Sequence, residues 1–134
     1  MNRKMLGGLV LTLGAAMALA GCSSQEKNGK ANQKVLRIGV SSYDQYDTFV
    51  SELISCFQNY AKEKEKEWGI TISLDIRYAQ RSQMVQNGQM DDFIDDQVDI
   101  ACINLVDRTD ASGIIEKARK SQTPVIFFNR ELVE

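Results

Sequence analysis

The chain has 134 residues, with 16 basic and 18 acidic side chains, three cysteines and no histidine. This near balance of charge excludes the basic surface that nucleic-acid binding needs, so we expect no nucleic-acid partner. Without histidine or clustered cysteines, a zinc-type metal site has no ligands, and we expect no cofactor in this segment. Cys56 and Cys102 lie among apolar residues, which predicts two buried free thiols and leaves one bridge between them as the alternative.

The first 21 residues have the pattern of a bacterial secretory leader. Arg3 and Lys4 precede an uncharged apolar run over 5–20 that ends in small residues, which is typical of export rather than of a membrane-spanning helix. The finish Leu19-Ala20-Gly21-Cys22 resembles the lipobox of bacterial lipoproteins, which implies cleavage before Cys22 and acylation of its thiol. That lipid would hold the protein on the extracytoplasmic side of the cell membrane. A plain secretory leader stays the alternative.

Residues 22–34 are small and polar, so they bury too little apolar surface to fold and are predicted to form a flexible tether. The folded part is then 35–134, which is enough for one modest core. Apolar patterns in it predict four strands that alternate with three helices. The strands are predicted at 35–42, 70–76, 100–103 and 124–128, and the helices at 48–68 with a cap at Gly69, at 81–97 and at 110–121.

Each helix carries an apolar face that predicts its inward side. The inward positions are Phe49, Val50, Leu53, Ile54, Phe57 and Ala61 in the first helix, Met90, Phe93 and Ile94 in the second, and Ile114, Ile115 and Ala118 in the third. Met84 and Met90 are both expected to fill the core rather than to contact a cofactor.

The βαβαβαβ order predicts an α/β fold with a parallel sheet and right-handed crossovers. Strict alternation over 70–76 predicts an edge strand, whereas the continuous apolar run over 124–128 predicts a central one. With the second strand beside the first, the sheet order begins 2-1-3-4. In that order a crevice opens at the carboxyl ends of the first and third strands, where such sheets bind ligands.

Two loops bring polar and aromatic side chains to this crevice. Tyr43, Asp47 and Phe49 follow the first strand, and Asn104 and Asp107 follow the third. Carboxylate and amide groups can each engage adjacent sugar hydroxyls, and an aromatic face suits the apolar side of a sugar ring. Hydrogen bonds to a charged group contribute on the order of 1.5–3 kcal/mol each. The mixture therefore indicates a carbohydrate site.

Each of these residues also has a structural interpretation, which the sequence leaves open. Asp47 or Thr48 could cap the first helix. Phe49 could belong to the core, and Asn104 could bond the backbone at the end of a strand. Asp107 is expected to be a loop or cap residue.

At these residues the chain resembles the galactose/glucose-binding (methyl-galactoside) proteins of ABC transporters, which have the type I periplasmic-binding-protein fold. The resemblance covers 35–131. It is carried by Arg37-Ile38-Gly39-Val40, Ile103-Asn104-Leu105-Val106-Asp107, Ile115-Glu116-Lys117-Ala118-Arg119 and Pro124-Val125-Ile126-Phe127-Phe128-Asn129-Arg130-Glu131. It implies an extracytoplasmic, non-enzymatic component of an ABC sugar importer, which binds D-galactose- or D-glucose-type hexoses in a hinged cleft and delivers them to the permease.

The resemblance also assigns roles to individual residues. It places Asp47 and Asn104 on the sugar hydroxyls, Phe49 on the ring face, Tyr43 beside them and Asn129 nearer the hinge. Two departures, Asp44 in place of a basic residue and Arg108 in place of proline, are expected to change the rim of the cleft.

Members of this family have two lobes, so the chain is expected to be an N-terminal fragment that lacks the second lobe and binds sugar weakly at best. Calcium, if bound, is expected only in that lobe, and a chemoreceptor is a further candidate partner. Alternatives are a sensor or binding module of this fold for a ribose-like or autoinducer-like sugar, and an exported α/β hydrolase. Against the hydrolase, the sequence contains no Gly-x-Ser-x-Gly elbow and no histidine that could act as a base. Against a DNA-binding repressor stands the secretory leader.

Overall fold

A computed structural model describes residues 34–133. Its elements are β1 (Val35–Ser42), α1 (Thr48–Trp68), β2 (Thr71–Tyr78), α2 (Gln83–Asp95), β3 (Ile100–Ile103), α3 (Ser112–Ser121) and β4 (Val125–Phe127). The seven predicted elements are therefore confirmed, with ends that differ by two residues or fewer. The predicted leader, the lipidation site Cys22 and the tether up to residue 33 lie outside the described residues. Within 34–133, no helix is both long and apolar enough to cross a membrane.

The four strands form one parallel sheet in the order β2-β1-β3-β4, as predicted. In its register Val40 of β1 pairs with Ile76 of β2 on one side and with Cys102 of β3 on the other. The expectation that 124–128 is a central strand is wrong for the described sheet. There β4 lies at an edge and pairs with β3 alone, and 51% of Ile126 is exposed.

The core lies between the sheet and the helices α2 and α3. Its fully buried side chains include Met90, Phe93, Ile103 and Ile114. Gly39 of β1 permits this packing, because a Cβ atom there would lie 2.7 Å from the ring of Phe93. The first strand thus needs a glycine at this position because Phe93, 54 positions later in the sequence, packs against it.

Helix α1 contacts the opposite face and begins at an aspartate cap. Asp47 is its N-cap residue, and Gly69 ends it in the left-handed conformation with φ of 64°. The side chains that α1 buries are Val50, Ile54 and Ala61. The predicted inward positions Phe49 and Leu53 are instead 64% and 37% exposed.

Three further predictions about burial are corrected. Cys56 is exposed on α1, whereas Cys102 is half-buried, and burial raises the pKa of the Cys102 thiol. Both are free thiols, so the alternative of a bridge between them is wrong. Met90 is core, but Met84 is 81% exposed and fills none.

Candidate functional site

The candidate site lies where β1, β3 and β4 end, and backbone hydrogen bonds hold these strand ends side by side. The amide of Asn104 donates to the carbonyl of Ser41 over 2.8 Å, and the amide of Phe128 donates to the carbonyl of Ile103 over 3.1 Å. The loop between β1 and α1 and the loop between β3 and α3 therefore emerge at one edge of the sheet, as the topology predicts.

Asp47 begins α1 and uses both carboxylate oxygens. Its Oδ1 accepts a hydrogen bond from the amide of Val50 over 2.9 Å, and its Oδ2 accepts one from the hydroxyl of Tyr43 over 2.5 Å. The Tyr43 hydroxyl, followed by the Val50 amide, holds the pKa of the Asp47 carboxyl below its ordinary value. The same hydrogen bond raises the pKa of Tyr43. The capping interpretation is confirmed, yet each oxygen of the ionised carboxylate keeps acceptor capacity for a ligand.

Asn104 follows β3 directly and is fully buried. Its Nδ2 donates to the carbonyl of Phe128 over 3.0 Å, and its Oδ1 accepts from the amide of Tyr43 over 3.4 Å. Bonding to backbone at a strand end is thus confirmed, while its role as a sugar ligand stays a prediction. Because Asn104 contacts the amide of Tyr43 and Asp47 contacts its hydroxyl, the two predicted ligands lie at the same end of the sheet.

Phe49 and Asn129 lie on the surface near this edge. Phe49 is in the first turn of α1 and 64% exposed, so the interpretation of Phe49 as core is wrong and its ring is free to meet a ligand. Asn129 follows β4, is exposed, and adopts a positive φ of 57°, a conformation that asparagine tolerates better than most residues. Its predicted position beside a hinge stays a prediction.

Arg130 was not among the predicted site residues. Its guanidinium lies 4.4 Å from the centroid of the Tyr43 ring. Its Nε donates to the carbonyl of Leu105 over 2.6 Å and its Nη2 to that of Val106 over 3.0 Å. The sequence feature that could have identified Arg130 is that it is the basic residue of the segment Phe127-Phe128-Asn129-Arg130-Glu131, which carries part of the family resemblance.

Gln86 was missed as well, because a polar residue on an amphipathic helix is ordinarily assigned to the surface. It is fully buried, and its Nε2 donates to the Ser41 hydroxyl over 3.1 Å and to the Asn104 carbonyl over 3.0 Å. Its Oε1 accepts from the amide of Val106 over 2.9 Å. Helix α2 therefore fixes the loop that carries Asn104.

The two expected changes at the rim have different outcomes. The side chain of Asp44 is buried, accepts from the amide of Tyr46 over 3.0 Å and forms an ion pair with Arg81, so it is a structural residue of the loop. Arg108 is exposed, as a rim residue would be, and its Nε donates to the carbonyl of Glu131 over 3.0 Å. Asp107 accepts from the amide and hydroxyl of Thr109, which confirms its expected loop role.

This edge offers the ionised carboxylate of Asp47 beside the exposed ring of Phe49, a combination that suits a polyhydroxylated ligand. Among residues 34–133, no three histidine, cysteine, aspartate or glutamate side chains are grouped to hold a metal ion. A separate groove of about 240 Å³ lies between α1 and the sheet, lined by Val40, Leu53, Ile54, Phe57, Cys102, Ile126 and Phe128. Its walls are entirely apolar, so it does not suit the hydroxyl groups of a sugar.

Comparison with known proteins gives a consistent picture. Residues 38–134 match a family described as the periplasmic binding protein domain. The chain is 37% identical over 97 residues to the D-galactose/methyl-galactoside binding periplasmic protein MglB of Haemophilus influenzae. That match covers 71% of this chain and 27% of the relative.

Solved structures with a similar fold are also binding proteins. A galactofuranose binding protein matches with a TM-score of 0.58 and 23% identity, over 74% of this chain and 31% of its own. An ABC transporter solute binding protein from Mycobacterium smegmatis with bound glycerol matches with a TM-score of 0.61 and 23% identity, over 75% of this chain and 33% of its own. The fructose binding periplasmic domain of a hybrid two-component system matches with a TM-score of 0.59 and 24% identity, over 74% and 31%. The chain thus spans between a quarter and a third of the length of these proteins.

Proposed function

Because the chain belongs to the periplasmic binding protein family, we propose that it is the sugar-recognising N-terminal lobe of the substrate-binding component of an ABC sugar importer. Membership of this family places the chain outside the cytoplasm. It also confirms the prediction that the chain is a binding protein and not an enzyme. The lobe has the type I periplasmic-binding-protein fold.

The observation that carries the proposal is the convergence of two distant loops on Tyr43. Its hydroxyl contacts Asp47 of the first loop, and its amide contacts Asn104 of the second. An ionised carboxylate held in this way accepts hydrogen bonds from sugar hydroxyls, and the exposed ring of Phe49 stacks on the sugar. Asn104 is proposed as a second sugar ligand, and because it is fully buried the groups that cover it must move before the sugar can reach it.

The proposed ligand is a D-galactose- or D-glucose-type hexose. The identity of 37% to a protein named for D-galactose and methyl-galactoside supports this choice. The structural neighbours are named for other sugars, including galactofuranose and fructose, and they show only the fold at their identities below 25%. A binding module for a different sugar is therefore the second candidate function, and a selectivity panel of galactose, glucose, ribose and fructose separates the two.

We further propose that lipid on Cys22 anchors the protein and that the importer permease receives the sugar. The lipobox-like segment ending at Cys22 supports the anchor. Mass spectrometry of the membrane-extracted protein should show an acylated Cys22 as the first residue. An unmodified Cys22 in membrane-extracted protein would contradict the anchor while leaving the sugar site untouched.

The site is tested by measuring galactose affinity in the Asp47→Ser variant, by NMR titration of the chain. Serine keeps an N-cap acceptor for α1 but removes the ionised acceptor for the sugar. We expect the dissociation constant to rise about tenfold or more, because hydrogen bonds to charged groups are the stronger ones. Asp95→Ser, at the exposed end of α2, is the matched control and should leave affinity unchanged. Equal affinity in both variants would mean that Asp47 is not a ligand.

A further inference from the structure

Arg130 joins three segments at the candidate site. It follows β4, its side chain donates to the carbonyls of Leu105 and Val106 in the loop after β3, and it contacts Tyr43 in the loop after β1. Its backbone takes part as well, because the amide of Leu105 donates to the Arg130 carbonyl over 3.3 Å. The residue is partly buried, and within 34–133 no carboxylate forms an ion pair with it. Its guanidinium is therefore committed to two carbonyls and one ring face.

Tyr43 is consequently held at three points. Its amide contacts Asn104, its ring face contacts the Arg130 guanidinium, and its hydroxyl donates to Asp47. A cation within about 6 Å of a ring centroid is attracted to the ring face. The ring of Tyr43 is thus fixed between the strand ends and the cap of α1, with its hydroxyl directed at the carboxylate.

We propose that Arg130 is a positioning residue for sugar recognition, which acts through Tyr43 to orient the carboxylate of Asp47. This inference rests on the proposed function, because it gives Asp47 the role of ligand. Arginine suits the task where lysine does not, since its planar fork can donate to two carbonyls and lie flat on a ring at the same time. The positive charge of Arg130 also contributes to the low pKa of Asp47, after the larger effects of the Tyr43 hydroxyl and the Val50 amide.

The experiment compares Arg130→Met and Arg130→Lys in the full chain, with two readouts. The first is the dissociation constant for D-galactose by NMR titration. The second is the titration midpoint of the Asp47 side-chain carboxyl, followed by its carbon-13 shift. Arg119→Met is the matched control and should leave both readouts unchanged, because it makes the same substitution at an exposed residue in the last turn of α3, which leads into the start of β4 and not to its carboxyl end.

We expect Arg130→Met to weaken galactose binding about tenfold. We also expect it to move the Asp47 midpoint to higher pH, since both the charge and the hold on Tyr43 are lost. Arg130→Lys keeps the positive charge but lacks the planar guanidinium, so it should lose most of the affinity that Arg130→Met loses. Full affinity in the lysine variant would overturn the positioning role in favour of charge alone. Full affinity in the methionine variant would overturn any role.

A double substitution separates this inference from the proposed function. In a Tyr43→Phe background the hydroxyl that reaches Asp47 is already gone, so adding Arg130→Met should move the Asp47 midpoint by little more than the loss of the charge alone. If Arg130→Met moves the Asp47 midpoint as far in the Tyr43→Phe background as it does in the parent, Arg130 does not act through Tyr43. This readout needs no sugar. If Asp47→Ser leaves galactose affinity unchanged while the midpoints respond as expected, the proposed sugar site fails and the coupling of Arg130 to Asp47 stands.

Discussion

Asn104 and Gln86 are both fully buried, and the side chains of both form hydrogen bonds with the backbone of the loops that form the site. Asp47 could be located from the sequence, because a carboxylate that precedes an amphipathic helix and follows a buried strand is marked by both patterns. Gln86 could not, since its burial depends on Ser41 and Val106, which are distant in sequence. A helical pattern records which residues are apolar, and not which polar residue meets an unsatisfied backbone group.

Replacing Gln86 by leucine should destabilise the chain by about 1–3 kcal/mol, because the Val106 amide and the Asn104 carbonyl each lose a buried partner. Urea unfolding measures this difference. Gln58→Leu, at an exposed position of α1, makes the same chemical change and should stay within about 0.5 kcal/mol of the parent. If the two variants are equally stable, the Gln86 network contributes nothing to folding.

The low pKa of Asp47 predicts how stability depends on pH. The Tyr43 hydroxyl and then the Val50 amide favour the ionised form in the folded state. That contribution is fully present above the ordinary pKa of an aspartate side chain, and it is lost as the pH falls through the lower pKa of Asp47. Asp47→Ser should therefore lose less stability than the parent over this acidic range, as measured by urea unfolding at a series of pH values. Parallel profiles for the two proteins would contradict this assignment.

At the level of the elements, the apolar patterns predicted the helices, the strands and the strand order, because each is a local signal or follows from alternation. The orientation of α1 was less predictable. Phe49, Val50 and Leu53 all fall on one apolar stripe, but α1 buries only Val50 of the three, while Leu53 lines the groove beside the sheet and Phe49 is exposed. Periodicity gives the width of an apolar face and not the part of it that meets the sheet.

Two glycines give a sharp test of the packing between β1 and α2. Gly39→Ala should destabilise the chain by about 1–3 kcal/mol, because the new Cβ would lie against the Phe93 ring. Gly88→Ala lies inside α2, where the new Cβ would meet no heavy atom within 4 Å apart from the backbone of its own helix, and it should stabilise by about 0.5–1 kcal/mol. Thermal or urea unfolding measures both, and a Gly39→Ala variant as stable as the parent would refute the close contact of Gly39 with Phe93.

For the molecule as a whole, the two faces of the sheet are covered unequally in the described residues. Helices α2 and α3 bury one face, whereas the groove between α1 and the sheet leaves Ile126 and Leu53 exposed on the other. The apolar run over 124–128 predicted a central strand, whereas β4 lies at the edge of the described sheet and leaves apolar surface exposed. The strands of a parallel sheet are ordinarily covered on both faces and are therefore apolar throughout. An apolar run shows that a strand is to be covered, but it does not show which helix or strand packs against it.

This exposed groove and the edge strand β4 predict concentration-dependent self-association of the chain. Ile126→Lys should weaken that association, as measured by sedimentation velocity over a range of concentrations. Val133→Lys introduces the same charge at a similarly exposed residue, 41% against 51%, outside the groove and should have little effect. A chain that stays monomeric at every concentration would contradict the prediction.

Sugar binding at this edge of the sheet is measured most directly by an NMR titration of the isotope-labelled chain with D-galactose, in which the backbone amide signals report where the sugar binds. We expect weak binding, with the largest shifts at Tyr43, Asp47 and Asn104 and at the ring of Phe49. Shifts confined to another surface, or none up to the solubility of the sugar, would contradict the assignment of this edge of the sheet as the sugar-binding surface.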